Sequence, residues 1–289
     1  MSAEQALVCY QSLPQWGRDD IPEALWAAYR VDEGVWLALA VLSGGLSVAL
    51  LDEAGEVAAV HALTPESNKL LIEPQQSFRI ESLSGDTRIQ LALYCEAADY
   101  FHKKYGMSAT HSAVRAAASV VPVGKALDMG CGQGRNALFL GLQGFEVTAV
   151  DHNPQAVQSV AELAQAEQLN IKALEYDLNA ANLPEDYDYI VATVVLMFLQ
   201  PRLVPQVIAD MQAHTRTGGY NLIVSAMDTA DFPCPMPFPF KFQEGELRRY
   251  YQDWDIVEYQ EALGVMHAKD EFGNPIQFKF VTMLAKKTQ

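Results

Sequence analysis

A chain of 289 residues, half of them apolar, is long enough for about two domains with sizeable cores. Its 36 acidic residues against 20 basic ones give a formal net charge of −16, and no basic cluster stands out beyond Arg248-Arg249 and Lys286-Lys287, which argues against a nucleic-acid surface. Cys9, Cys95, Cys131 and Cys234 lie apart, with no C-x-x-C spacing and no signal peptide before them, as expected of reduced thiols in a cytoplasmic protein.

The first long apolar stretch runs from Val35 to Leu51, interrupted by Ser43-Gly44-Gly45 and flanked by Asp32-Glu33 and Asp52-Glu53. This texture predicts a hairpin of two buried strands around a glycine turn, not a membrane span. Strand-and-turn texture continues from Glu56 to Ala62 and from Phe78 to Tyr94, so residues 1–96 read as a small all-β sandwich or barrel. Helical character from Ala97 to His102 marks the start of a second domain, 97–289.

From Ala126 the textures alternate. Strands are predicted over 126–129, 147–151, 171–177, 187–193 and 220–226, with helices over 135–144, 155–168 and 202–214. Such alternation implies an α/β fold, a parallel sheet with helices on both faces that binds ligands at the carboxyl ends of its strands. Beyond Ala226 come the proline-rich "DFPCPMPFPF", suited to a lid, a helix over 244–251, and two last strands over 254–261 and 278–285.

"ALDMGCGQGRN" joins the first of these strands to its helix and holds Asp128, Gly130, Gly132 and Gly134. Glycine at alternate positions admits positive φ and close approach of a ligand, and the following helix offers free N–H groups. The dinucleotide pattern G-x-G-x-x-G fails, because Arg135 stands where the third glycine is needed. A carboxylate before the first glycine also suits a cationic ligand better than a pyrophosphate. Asp151 ends the next strand, where an acidic side chain accepts hydrogen bonds from ribose hydroxyls or caps the helix that begins at Pro154. A ribose with a nearby cation points to S-adenosylmethionine. Cys131 reads as structural, since no basic neighbour in sequence lowers its pKa.

"DMGCGQGRN", "VDHN", "YDLN" and "VVLMFLQ" resemble successive motifs of class I S-adenosylmethionine-dependent methyltransferases. "TRTGGYNLIVSAMDTADFPC" and "FQEGELRRYY" resemble the tellurite-resistance methyltransferase family, TehB, over roughly Tyr100 to the C-terminus. The β-rich front, with "HALTPES" and "EPQ", is similar to the small cupin-like domain fused to some members. Where the family tends to carry a histidine after Pro-Gln, this chain reads "PQQSFRIES", which leaves His61 as the obvious ligand type, and no metal site is expected.

The resemblance implies a Rossmann-like sheet and a set of site residues. Asp128 and Gly130 would hold the methionine end, with Gly132 and Gly134 shaping the loop. Asp151 would bind the ribose, and Asp177 and Leu178 the adenine, although a strand-end Asx turn is an alternative for Asp177. Thr193 would end the fourth strand against the cofactor. Arg135 and Asn136 could reach the methionine carboxylate, and Tyr105 and His111 precede the sheet where many such enzymes fold a segment over the cofactor.

A soft lone pair on tellurium or selenium needs no proton removed, so the acceptor side calls for cations and donors that hold an oxyanion. The candidates are Arg248 and Arg249 on the short helix, Lys241 in the proline-rich loop, and His267 in "GVMHAKD"; His267 matches a family histidine, but Ala268 stands where an arginine often follows. The expected function is methylation of tellurite and selenite to volatile products, with tellurite resistance as its outcome. The alternatives are a methyltransferase for a small organic thiol or amine, and a non-catalytic protein that binds S-adenosylmethionine or oxyanions. Neither nucleic acid nor membrane is an expected partner, and a homodimer is an assembly the sequence allows.

Overall fold

The computed structural model describes residues 7–67, 69–269 and 272–289, apart from the side chains of 266–269. The chain divides into two compact units, Met1–Gly106 and Met107–Gln289. The helix expected to open the second domain thus travels with the first unit.

The first unit contains β1 (Leu7–Gly17), α1 (Ala24–Ala27), β2 (Tyr29–Arg30), β3 (Trp36–Ser43), β4 (Leu46–Leu51), β5 (Val57–Leu63), β6 (Leu70–Ile72), β7 (Ser77–Leu83), β8 (Arg88–Glu96) and α2 (Tyr100–Tyr105). Its strands form two four-stranded antiparallel sheets, ordered β1-β8-β3-β6 and β2-β7-β4-β5. Leu37, Leu39 and Val41 recur with the period of a strand and share one core with Leu46, Val48, Phe78, Ile80, Ile89 and Leu91. This is the expected β-sandwich.

The expected hairpin is not there. β3 pairs with β6 and β8, and β4 with β5 and β7, so the glycine turn carries the chain from one sheet to the other. A run of buried residues looks the same to either neighbour, and here each strand buries itself against the core from its own layer. Gly44 makes the crossing possible. Its φ is +71°, and a Cβ there would meet Ser84 Oγ at 2.6 Å and the Thr87 backbone at 2.8 Å. Among the described residues no helix is long and apolar enough to cross a membrane.

The second unit runs α3 (Ser112–Ala117), β9 (Lys125–Met129), α4 (Arg135–Leu142), β10 (Glu146–Asp151), α5 (Pro154–Ala166), β11 (Ile171–Glu175), β12 (Tyr187–Thr193), α6 (Val204–Ala213), β13 (Thr215–Ala226), α7 (Glu246–Tyr250), β14 (Asp255–Lys269) and β15 (Pro275–Lys286). One seven-stranded sheet has the order β11-β10-β9-β12-β13-β15-β14. Its first five strands are parallel, and β15 runs antiparallel to both β13 and β14.

Buried residues cover both faces of this sheet, as parallel strands require. Leu127, Met129, Ile190, Ala192 and Ile223 pack on one face with Val207, Ile208 and Met211 of α6 and Leu247 of α7. α4 and α5 contact β9, β10 and β11. The closing hairpin of β14 and β15 is longer than the strand texture predicts. Strand order reverses between β9 and β12, which opens a crevice beyond their carboxyl ends.

Candidate active site

The crevice starts at the glycine loop after β9. Gly130 and Cys131 donate their N–H groups to the Val150 carbonyl at 2.8 and 2.9 Å, and Gly134 donates to the Cys131 carbonyl at 2.9 Å. Gly130 is fixed by space as well: φ is +69°, and an added Cβ would lie 2.2 Å from Val195 Cγ2. Asp151 Oδ2 accepts from Gly132 N at 2.9 Å, while its Oδ1 accepts from Asn153 N at 2.9 Å. The cap of the following helix, the alternative role read for Asp151, comes from Asn153, whose side chain accepts from Gln155 N at 3.0 Å.

Asp128 lies buried behind the loop, with Oδ2 accepting from Ala137 N at 3.1 Å. Burial pushes its carboxyl up to about 7, against the opposing pull of the Ala137 N–H and of Arg135. It steadies the first turn of α4 and is not among the lining residues of the cavities beside it. Burial also raises the Cys131 thiol well above its ordinary value, as suits a structural cysteine.

Three recesses open along the crevice. The first, of about 500 Å³, is lined by Asp151, His152, Tyr176, Asp177, Leu178, Asn179, Phe198 and Leu199, together with Gly130, Val194 and Val195. Asp177 forms the anticipated Asx turn, accepting from Asn179 N and Nδ2 at 2.9 Å each, and these bonds hold its carboxyl below the ordinary carboxylate value. The second, of about 280 Å³, lies along the loop and includes Met107, Ser108, Gly130, Gly132, Arg135, Asn136, Thr193 and Val194. The third, of about 510 Å³, lies over β13, β14 and β15 and is lined by His111, Ser112, Arg135, Val194, Val224, Gln260, Ala262, Leu263, Gly264, Val265, Phe280 and Thr282.

Val194 lines all three recesses. Its φ is +57°, a left-handed backbone that a β-branched side chain seldom adopts, and its N–H donates to the Val224 carbonyl at 2.7 Å. Asn136, read from sequence as a reach toward the methionine carboxylate, is instead buried and engaged at both ends. Its Nδ2 donates to Thr193 Oγ1 at 2.8 Å, and its Oδ1 accepts from His111 N at 3.1 Å. His111 in turn caps α3, with Nδ1 accepting from Ala113 N at 3.2 Å. Burial and the neighbouring Arg135 lower its pKa to about 4.

Other anticipated residues lie elsewhere. Arg248 sits 4.4 Å from the ring centre of Tyr259, and Arg249 donates to the Glu244 carbonyl at 3.4 Å. Neither lines any of the three recesses, because the short helix α7 packs its Leu247 into the core and turns its arginines to solvent. Lys241 Nζ donates to the Met236 carbonyl at 3.5 Å. Tyr105 belongs to the other unit, where its ring stacks on Phe101. His267 is in β14, but its side chain lies outside those described.

In the proline-rich segment, Phe232, Met236 and Phe238 pack against Met197, Ala226 and Phe278, and Phe238 also meets Phe198 on the wall of the first recess. Sequence reasoning missed Val194 and Val195, although both open the quoted "VVLMFLQ". It also missed Val224, Gln260, Phe280 and Thr282, which carry no signal beyond strand texture.

Comparison with known proteins covers both units. A family model described as tellurite resistance protein TehB matches residues 93–284, and a model for a TehB-like domain matches residues 11–91. A probable S-adenosyl-L-methionine-dependent methyltransferase TehB of Haemophilus influenzae is 48% identical over 281 residues, spanning 97% of this chain and 98% of that protein. A protein of Eikenella corrodens named hemagglutinin 1 is 60% identical over 237 residues, 82% of this chain and 79% of that protein. The crystal structure of TehB from Haemophilus influenzae has a TM-score of 0.92 at 48% identity, covering 98% of this chain and 99% of that one.

Proposed function

Because the chain belongs to the TehB tellurite-resistance family, and is thereby a class I S-adenosylmethionine-dependent methyltransferase, we propose that it methylates the oxyanions tellurite and selenite and so protects its cell from them. The observation that carries this proposal is the meeting of three recesses at Val194: beside the two that fit the cofactor opens a third, of about 510 Å³, with room for a small acceptor.

The residues present fit the cofactor. The first recess combines apolar Leu178, Phe198 and Leu199 with the Asp177 carboxylate, as adenine requires, and holds Asp151 where ribose hydroxyls would donate. The second has the open side of Gly132, where nothing lies within 4 Å of an added Cβ, so a ligand can approach the backbone. When bound, S-adenosylmethionine would supply an electrophilic methyl group to the tellurium(IV) or selenium(IV) lone pair, the S–CH3 bond breaking as S-adenosylhomocysteine leaves. Asp128 and Asn136 hold the loop, α4 and the end of β12 in register, while the apolar walls exclude water. His267, further along β14 than Val265, is the candidate for moving a proton on a hydrogen-bearing oxyanion.

The decisive assay supplies the purified chain with tellurite or selenite, methyl-labelled cofactor and a thiol reductant, which the volatile, more reduced products require. Labelled methyl tellurides or selenides in the headspace are the expected result. Label found only on a small organic thiol or amine would move the assignment to that acceptor. We further assign the activity to residues 97–289 in a cytoplasmic enzyme, with a homodimer as the assembly to test by light scattering. The 97–289 fragment is expected to purify folded and to turn over the same acceptor, because every motif of the crevice falls within it; a folded but inactive fragment would end that division of labour.

A further inference from the structure

We propose that Arg135 and His111 together form a clamp for the oxygen atoms of a small anionic acceptor, one arm a cation and the other a neutral ring N–H. The inference rests on the acceptor assignment above and names the groups that would recognise the acceptor.

Its first ground is charge. The chain carries a net charge of −16, yet the recess over β13, β14 and β15 has no Asp or Glu among its described lining residues, and Arg135 is its one cation there. Arg135 forms no ion pair among the described residues; its charge acts at longer range on the buried Asp128 and on His111, which leaves the guanidinium fork open toward the recess. A guanidinium in a partly apolar recess has fork geometry suited to two oxygens of one anion.

The second ground is the state of His111. Nδ1 accepts the α3 cap bond from Ala113 N, so the neutral ring carries its proton on Nε2. With the ring pKa lowered to about 4, this tautomer persists at neutral pH and His111 adds a donor without adding a second cation beside Arg135.

The third ground is rigidity. Asn136 ties the His111 backbone to Thr193, and Thr110 Oγ1 donates to the Arg135 carbonyl at 3.4 Å, so both arms are anchored to α4 before any ligand arrives. Facing them, Val194, Val224 and Phe280 give an apolar wall that would suit the lone-pair side of a pyramidal chalcogen oxyanion.

Arg135 also lines the loop recess, so a competing role in holding the cofactor's carboxylate must be separated from this one. Calorimetric titration of selenite into the full chain saturated with S-adenosylhomocysteine reads acceptor binding without turnover. Arg135→Gln is expected to weaken selenite about 10- to 100-fold, the range of a charged hydrogen bond, while affinity for S-adenosylhomocysteine stays within roughly 3-fold. His111→Asn keeps a side chain able to cap α3 but lacks the Nε2 donor; it should weaken selenite about 3- to 10-fold with a melting temperature unchanged above neutral pH, where the ring is uncharged in folded and unfolded chain alike. Selenite binding unchanged in Arg135→Gln, or a loss confined to S-adenosylhomocysteine, would overturn the clamp alone. If the wild-type chain binds no selenite, the acceptor assignment falls, and the clamp with it.

Discussion

At or just after the ends of β9, β10 and β11 three aspartates already accept a backbone N–H: Asp128 from Ala137, Asp151 from Gly132 and Asn153, Asp177 from Asn179. Over β13, β14 and β15 the recess has no carboxylate among its described lining residues, and its polar groups come from segments as distant in sequence as His111 and Thr282. One half is a cradle of local loops, with Asp151 and Asp177 on the wall of the first recess and Asp128 buried behind it. The other is assembled by tertiary packing between segments far apart in sequence. Under the proposed function, this segregation of the described carboxylates is what would let an acidic protein accept an anion.

The sharpest test of the cradle is Gly130→Ala. A left-handed φ imposed on alanine costs about 1–3 kcal/mol, and the clash with Val195 costs a further 1–3 kcal/mol or so. Thermal shift with and without S-adenosylmethionine should therefore show a destabilised fold and cofactor affinity lowered by roughly 10²-fold or more, and a silent variant would refute the tight packing of loop on Val195. His267→Ala tests the proposed acceptor chemistry: turnover of tellurite should fall about 10²-fold with cofactor affinity unchanged. Full activity would make His267 a bystander. Asp151→Ala should weaken the cofactor by about 1–3 kcal/mol in calorimetry, the scale of charged hydrogen bonds, and leave selenite binding alone.

The smallest effect distinguishes the halves by titration. Asp128 has its pKa raised from 3.8 to about 7, so the folded state holds more protons than the unfolded one in that window. Its contribution is present at pH 4 and declines as pH rises through 7. His111 has its pKa lowered from 6.5 to about 4, so the unfolded state holds the extra proton, and its contribution is full above 6.5 and declines as pH falls toward 4. Melting temperature against pH should thus lose its downward component in Asp128→Asn and its upward component in His111→Asn. A wild-type profile in both would show that neither group is shifted.

What the sequence made legible follows the same line. The glycine loop, Asp151, Asp177 and the strands that precede them are local, because a loop's spacing and the strand before it are printed side by side. Arg248 and Arg249 misled because a doublet of basic residues says nothing about which face of α7 is covered; Leu247 decides that by filling the core. The wall of the third recess was illegible since Val224, Phe280 and Thr282 look like any strand residues until β15 turns antiparallel beside β13. In the first unit the glycine turn was recognised and its outcome was not, because which sheet receives β4 depends on β7, a strand still to come.

That crossing strand has a further consequence, for synthesis. All strands of the β2-β7-β4-β5 sheet lie between Tyr29 and Leu83, whereas β1 has its partner only in β8, from Leu7 opposite Glu96 to Gly17 opposite Arg88. A chain growing from the ribosome can finish one sheet while the earliest strand, made first, still waits for the last. β3 waits beside it, with β6 on one edge and the β8 edge open. The closing of the sandwich is a single late event of high contact order, and the nascent protein carries an unpaired eleven-residue strand until Glu96 has emerged.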